Sequence, residues 1–295
     1  LVPNIQEWIL YHLLIGFQKI IVFDDTEPEG ELHNKLLTAL QPFIDTGRVE
    51  INQFGLASAS FPQVEFNNKV LEKYRESKEL DWIAFFDMDE FLLLKDPKSW
   101  SSRVFSFLFG FNMSSEYGLS CVDEFLVNYQ NYGGVGVRWK MVSPHSVGLH
   151  DPNQTYMDQF KYSVYESGNS WGKKVIIQVQ HTTMMEIHHA TTTKPIVSPE
   201  YQSLGHNGGL FESFYAELRH YGQGDLTHAI LNKACGASKE RSIFQTPRMA
   251  QLLSNLETGS VKGAKDLSEI DNTNVLGLDL LRSILNEARA TDSEN

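Results

Sequence analysis

Cysteine is scarce: Cys121 and Cys235 are the only two in 295 residues. That leaves no thiolate spacing for zinc and no disulfide framework; two free thiols and a single bridge both fit the count. Long apolar runs are missing as well. Nothing approaches the ~18 consecutive apolar residues of a membrane-spanning helix, and no leader of basic, apolar and small residues opens the chain. The abrupt start at Leu1-Val2-Pro3 reads as the interior of a longer protein, so membrane attachment is expected only through a segment absent from this chain. Basic residues are in deficit, 25 Lys and Arg against 37 Asp and Glu, for a net charge of −12. An acidic surface argues against nucleic acid as a partner, because binding it requires a basic face that displaces counterions. A nucleotide ligand stays open, since a metal ion neutralises phosphates locally. Internal repeats and low-complexity tracts are absent too.

The composition that remains, 41% hydrophobic and 21% charged, is that of a folded, enzyme-sized domain. Asn4 to Phe17 reads as a helix with Asn4 as its cap and Gly16 as its stop. Lys19 to Phe23 is a short β-branched run suited to a buried strand. Glu31 to Ile44 is a second helix, and Gly47 separates it from a strand over Arg48 to Asn52. A third helix runs from Pro62 toward Ser77, and Trp82 to Phe86 is a further strand. This alternation predicts crossovers and an α/β fold with a mostly parallel central sheet flanked by helices. Beyond it, a helix is expected at Trp100 to Gly110, strands at Tyr117 to Val122, Gly134 to Trp139 and Lys173 to Gln180, and long loops from Met141 to Asn169. From Phe211 the chain reads as helical through Leu218 to Cys235, then at Met249 to Leu256 and Leu276 to Ala288. Residues 1–240 are taken as the catalytic domain and 241–295 as a helical C-terminal extension.

In open parallel sheets the ligand sits at the carboxyl ends of the strands. Asp24 and Asp25 follow one strand and Asp87 another, which makes them candidates for holding a donor ligand. Asp87-Met88-Asp89 is the sharpest signal. Two carboxylates one residue apart at a strand end can converge on one hard cation, Mn²⁺ or Mg²⁺. Such an ion would bridge the phosphates of a nucleoside diphosphate and stabilise the charge that builds on it as it leaves. An Asp-x-Asp triplet alone is more often a solvated turn; its place after an apolar strand is what raises it.

Glu7-Trp8, Tyr11-His12 and Gly16-Phe17, followed by the strand ending in Phe23-Asp24-Asp25, resemble the opening of glycosyltransferase family 92 and the related family-2-like glycosyltransferases. Phe86-Asp87-Met88-Asp89-Glu90-Phe91-Leu92 resembles their metal motif, and Leu218-Arg219-His220-Tyr221 their C-terminal His-Tyr signature. The resemblance implies a GT-A fold, a nucleotide-sugar donor (a UDP-sugar, with UDP-galactose a candidate), a glycan or other hydroxyl acceptor, a divalent metal and inversion at the sugar carbon. It also implies a lumenal location in the Golgi or another secretory-pathway membrane for the full-length protein. Under it His220 completes the metal shell of Asp87 and Asp89 or contacts the diphosphate. Asp158 falls where the family shows an acidic residue and becomes a candidate general base. This chain departs from the pattern at Asp25, where the family has Asn, and in the weak stretch Val142 to His150. The family's first strand, with its Lys/Arg-Asn-Glu start, would lie upstream.

Glu90 is read as a support for the metal pair or a contact to sugar, taking part in catalysis without being the base. Asp123 and Glu124 are rival bases. Seven histidines from His145 to His220 read mainly as surface or hydrogen-bonded residues, with His189 and His220 the exceptions. Lys173 and Lys174 read as a solvated pair with an alternative role of pairing with phosphate, and Trp139 and Trp171 as packing residues with an alternative role of stacking on acceptor sugar. Gly205 to Gly209 reads as a loop that could cover the donor. The sequons at Asn112 and Asn153 only lean toward a secretory lumen. Two other functions compete: a catalytically degenerate carbohydrate-binding protein on a transferase fold, and a haloacid-dehalogenase-type phosphohydrolase. The latter expects Thr or Val where Phe91 stands.

Overall fold

The computed structural model describes residues 2–24, 26, 28–53, 62–94, 121–143, 154–160, 162–164, 172–204, 213, 215–221, 267–269 and 282. It begins with helix α1 (Val2–Ile15), strand β1 (Ile20–Asp24), helix α2 (Glu31–Ile44), strand β2 (Val49–Gln53) and helix α3 (Pro62–Ser77). Gly16 ends α1 because its φ of 114° is open to glycine alone at no steric cost. The amides of Gly16 and Phe17 then return to the carbonyls of Leu13 and His12 at 3.1 and 3.0 Å, the paired bonds of a Schellman stop. β1 and β2 pair in parallel from Ile20↔Val49 to Asp24↔Gln53, with α2 as their crossover. These five elements follow the sequence expectation to within about two residues.

The remaining strands are β3 (Trp82–Ala84), β4 (Glu90–Leu94), β5 (Gly134–Ser143), β6 (Tyr162–Val164), β7 (Lys173–Gln178), β8 (Thr182–Met185), β9 (Ala190–Thr192), β10 (Ile196–Val197), β11 (Ala216–His220) and β12 (Leu267–Glu269), with helices α4 (Cys121–Val127) and α5 (Tyr156–Gln159) between them. β8 and β9 form a separate antiparallel pair. The others make one mixed sheet hinged on β5. The first half of β5 pairs antiparallel with β7, which in turn pairs antiparallel with β3. Its second half lies parallel to β11, which pairs antiparallel with β4. Its last two residues reach β6, and β6 holds β12.

The α/β class stands, but the large sheet is mixed where a mostly parallel one was expected. The physical reason is that the regular strand–helix alternation ends near Ala84; β3 and β4 are joined by a short turn and β7 to β10 follow one another with no α-helix between them, and parallel order needs long crossovers. Three local readings are also corrected. Cys121 and Val122 open helix α4 instead of ending a strand, with Asp123 and Glu124 in its first turn, where the helix dipole favours acids. Leu218 to His220 belong to β11, not to a helix; pairing on both edges overrides the local pattern. The expected loop region holds the end of β5, α5 and β6. Of the extension 241–295, the described residues are strand β12 and the helical Arg282. The expected helix at Trp100 to Gly110 lies outside the described residues.

Three apolar clusters hold the layers together. α1 and α2 pack Ile5, Ile9 and Leu40 on Ile20, Val22 and Val49 of the β1–β2 sheet. α3 packs Val70, Leu71 and Tyr74 against Val175 and Ile177 of β7. The largest cluster joins Tyr11 and Ile15 of α1 and Val122 and Leu126 of α4 to β4, β5 and β11. α1 thus serves two sheets. Its second face also satisfies the open edge of β4: Trp8 Nε1 and Tyr11 Oη donate to the carbonyls of Glu90 and Leu92 at 2.7 and 2.9 Å, and His12 Nε2 receives the Leu92 amide at 3.4 Å.

Candidate active site

β3 stops at Ala84, β4 starts at Glu90, and Asp87-Met88-Asp89 is the turn between them. Glu90 builds that turn. Its amide donates to the Asp87 carbonyl at 3.0 Å, and its carboxylate Oε2 accepts the Asp87 amide at 2.9 Å. The Glu90 side chain has no solvent exposure, so it shapes the turn from beneath while the side chains of Asp87 and Asp89 stay 44% and 30% exposed. Both aspartates line a cavity of about 770 Å³. The rest of its wall is supplied by α1, β1, α3, β3 and the Asp123 face of α4.

Strand pairing brings the other charged groups in. The β3–β7 register sets Ala84 opposite Ile176; two residues further along, Lys174 falls opposite Phe86, one position short of Asp87. Lys174 is fully buried, with Nζ 3.0 Å from Asp87 Oδ2 and 3.7 Å from Glu90 Oε1. Gln63 at the start of α3 donates to Asp87 Oδ1 at 3.3 Å. On the other side, β11 pairs His220 with Glu90, and the Tyr221 amide bonds the Asp89 carbonyl at 2.8 Å. His220 Nε2 lies 3.5 Å from Asp89 Oδ2. Trp139, on β5, packs its ring 4.3 Å from that of His220 and 5.0 Å from that of His188. Gly172 makes room for this indole, since a Cβ there would run into its ring.

The electrostatics of this corner are unusual. Burial pushes the Glu90 carboxyl up to about 8; Asp87 and Asp89 push the same way and Lys174 opposes. Burial also lowers His188, and the Lys174 charge adds to that. Asp89 Oδ1, Glu90 Oε1, Trp139 Nε1, His188 Nδ1 and His220 Nδ1 are all buried with no hydrogen-bond partner. A buried polar atom left this way costs about 1–3 kcal/mol. Orphans gathered on one side-chain cluster mark a place whose partners arrive from outside.

The structure thus places Asp87, Asp89, Glu90 and His220 near one another. Asp24 lies apart from them in its contacts. It is buried, accepts from Thr26 and Gln53, and pairs with His33 at 2.5 Å. Burial alone would raise its pKa, but the bonds from Thr26 and His33 outweigh it and leave it lowered. Asp25 lies outside the described residues, as do His145, His150, Trp171, Cys235 and the Gly205 to Gly209 loop. Asp158 sits on α5, where Thr155 donates to it at 2.7 Å and the Arg282 guanidinium grips both of its oxygens. Its pKa stays low, because these bonds together outweigh burial.

The reading of Lys173 and Lys174 as a solvated pair is overturned, since both are buried. The burial of Lys174 against Asp87, the place of His188 and the packing of Trp139 against two histidines escaped the sequence. The one available signal was that Lys174 opens a strand, which a pairing partner ending in aspartates would make valuable. Carboxylate oxygens are donors suited to Mn²⁺ or Mg²⁺, and an added imidazole nitrogen favours Mn²⁺ of the two. The orphaned Asp89 Oδ1 beside His220 fits such an ion. Among the described residues, however, no three such groups are already gathered to hold one. Asp87 is drawn instead to Lys174.

Comparison with known proteins places the chain in a family. A protein of Arabidopsis thaliana, galactan beta-1,4-galactosyltransferase GALS3, is 32% identical over 94 residues, covering 30% of this chain and 18% of that protein. This match spans less than a fifth of the relative. The sequence model of glycosyltransferase family 92 matches residues 2–221, which takes in every element from α1 to β11 together with Asp87, Asp89 and His220. The chain belongs to glycosyltransferase family 92.

Proposed function

We propose that this protein transfers a hexosyl unit, galactose first among the candidates, from a UDP-sugar to a hydroxyl of a glycan, with inversion at the sugar carbon and with Mn²⁺ or Mg²⁺ as cofactor. The observation that carries the reading is the Asp87-Met88-Asp89 turn facing a cavity, with His220 beside it, in a chain of this family. The galactosyl preference and the glycan acceptor rest on the name of the Arabidopsis relative.

In this reading Asp87, Asp89 and His220 hold the metal. A divalent ion there supplies positive charge to the departing diphosphate. Glu90 takes no proton from substrate; its role is to lock the turn so that both aspartates face the cavity. The acceptor's proton goes to a carboxylate. Asp123 shares the cavity with Asp87 and Asp89, whereas Asp158 is not among the residues that line it. Asp123 is therefore the better placed of the two. The resemblance to Golgi-anchored galactosyltransferases supports a lumenal site of action for the full-length protein.

The test is a panel of nucleotide sugars scored by melting temperature with and without Mn²⁺, because a ligand bound only by the folded state raises it. A UDP-sugar should stabilise the protein only when Mn²⁺ is present, and Asp89→Asn should abolish the response. Equal stabilisation of the variant would defeat the metal assignment.

A further inference from the structure

Lys174 is an expensive residue to keep. A buried ammonium is tolerated only when it is paired and hydrogen-bonded. Its two carboxylate neighbours are unequal. Glu90 is sealed from solvent, and its Oε2 is committed to the Asp87 amide. Asp87 is half open to the cavity, and its Oδ2 makes the close contact with the ammonium, at 3.0 Å. Lys174 therefore holds the same carboxylate that a metal at the Asp87–Asp89 turn would need. A divalent ion on Asp87 and an ammonium on Asp87 repel each other. An incoming diphosphate, by contrast, attracts both.

We propose that Lys174 is a resident counter-ion: it holds Asp87 while the site is empty, and it turns its charge to the donor's diphosphate when metal and nucleotide bind together. This rests on the function proposed above and deepens it. Lys174 is then a positioning residue with two opposite effects. It weakens binding of the metal alone, and it strengthens binding of the nucleotide once the metal is present. The site consequently takes metal and nucleotide as a pair and discriminates against a bare ion. Only placement of charge is involved, so no bond is made or broken at Lys174.

A residue that merely packs would not give effects of opposite sign, which makes the proposal testable by binding alone. Mn²⁺ affinity is measured by titration on the 295-residue chain, first without nucleotide and then with UDP, for wild type, Lys174→Met and Lys174→Arg. Lys174→Met should bind Mn²⁺ alone about tenfold more tightly than wild type, and UDP with Mn²⁺ about tenfold more weakly. Lys174→Arg, which keeps the charge, should stay near wild type in both. Mn²⁺ affinity unchanged or reduced in a folded Lys174→Met, or UDP affinity unchanged, overturns the proposal. Should Lys174→Met not fold, the wild type still decides: UDP must raise Mn²⁺ affinity by about tenfold, and independent binding of the two rejects the counter-ion role. If the wild type binds neither Mn²⁺ nor UDP, the proposed function itself fails, an outcome distinct from metal and nucleotide binding without coupling.

Discussion

Glu90 sets the titration of the metal-free site. Its carboxyl has an ordinary value of 4.5 and rises to about 8 in the fold, so folding takes up a proton between those values. Its stabilising contribution is complete below pH 4.5 and is lost as the pH rises toward 8. His12 has the opposite sign. Burial lowers it from 6.5 to about 4, so its contribution is complete above pH 6.5 and is lost on acidification toward 4. His188, also lowered by burial, acts in the same direction as His12; the two histidines oppose Glu90 most strongly below pH 6.5, and above it Glu90 predominates. Unfolding in urea without divalent ions should therefore show a loss of about 1 kcal/mol between pH 6.5 and 8. Glu90→Gln, which stays neutral throughout, should flatten that slope; an unaltered slope would show that Glu90 is ionised across the range. The motif carrying Asp87, Asp89 and Glu90 was legible because its neighbours in sequence are its neighbours in space. Lys174 was not legible: the 87 positions separating it from Asp87 are bridged only by β3–β7 pairing.

The same division holds between elements. α1, β1, α2, β2 and α3 could be read because each carries its own period and its own stop, such as Gly16 and Gly47, both with positive φ. β4 was missed because Phe91-Leu92-Leu93-Leu94, buried on every side, has no alternation to read. β11 was misread because its identity comes from β4 and β5 on either edge. Least visible of all was the second task of α1. Its helical stripe announces one packing face, while Trp8, Tyr11 and His12 also close the open edge of β4 and so hold the strand that starts at Glu90. Tyr11→Phe keeps the packing and removes one bond to the Leu92 carbonyl. It should cost about 1–2 kcal/mol in urea unfolding, since that buried acceptor then loses a donor. A change within a few tenths of a kcal/mol would mean that the edge does not depend on α1.

At the scale of the molecule, the cavity has a shape that side chains alone do not explain. Every residue from Gly16 to Phe23 and from Glu79 to Asp89 lines it. Consecutive residues of a strand point to opposite faces, so a cavity touched by all of them meets the strand edge-on. Among the described residues β1 is paired only to β2 and β3 only to β7, and both strands line this space. α1 packs across the β1–β2 sheet and leads directly into β1, the geometry of a helix returning from a parallel neighbour strand. If the natural protein carries polypeptide ahead of Leu1, an extended segment there has its place between β1 and β3, as the family resemblance also leads one to expect. Compared with the 295-residue chain, a longer natural chain should then show amides of β1 and β3 exchanging about a hundredfold more slowly, because edge amides that gain partners open only with the sheet. Equal exchange in both would mean that the edges of β1 and β3 stay open and that the cavity keeps its full width for ligand.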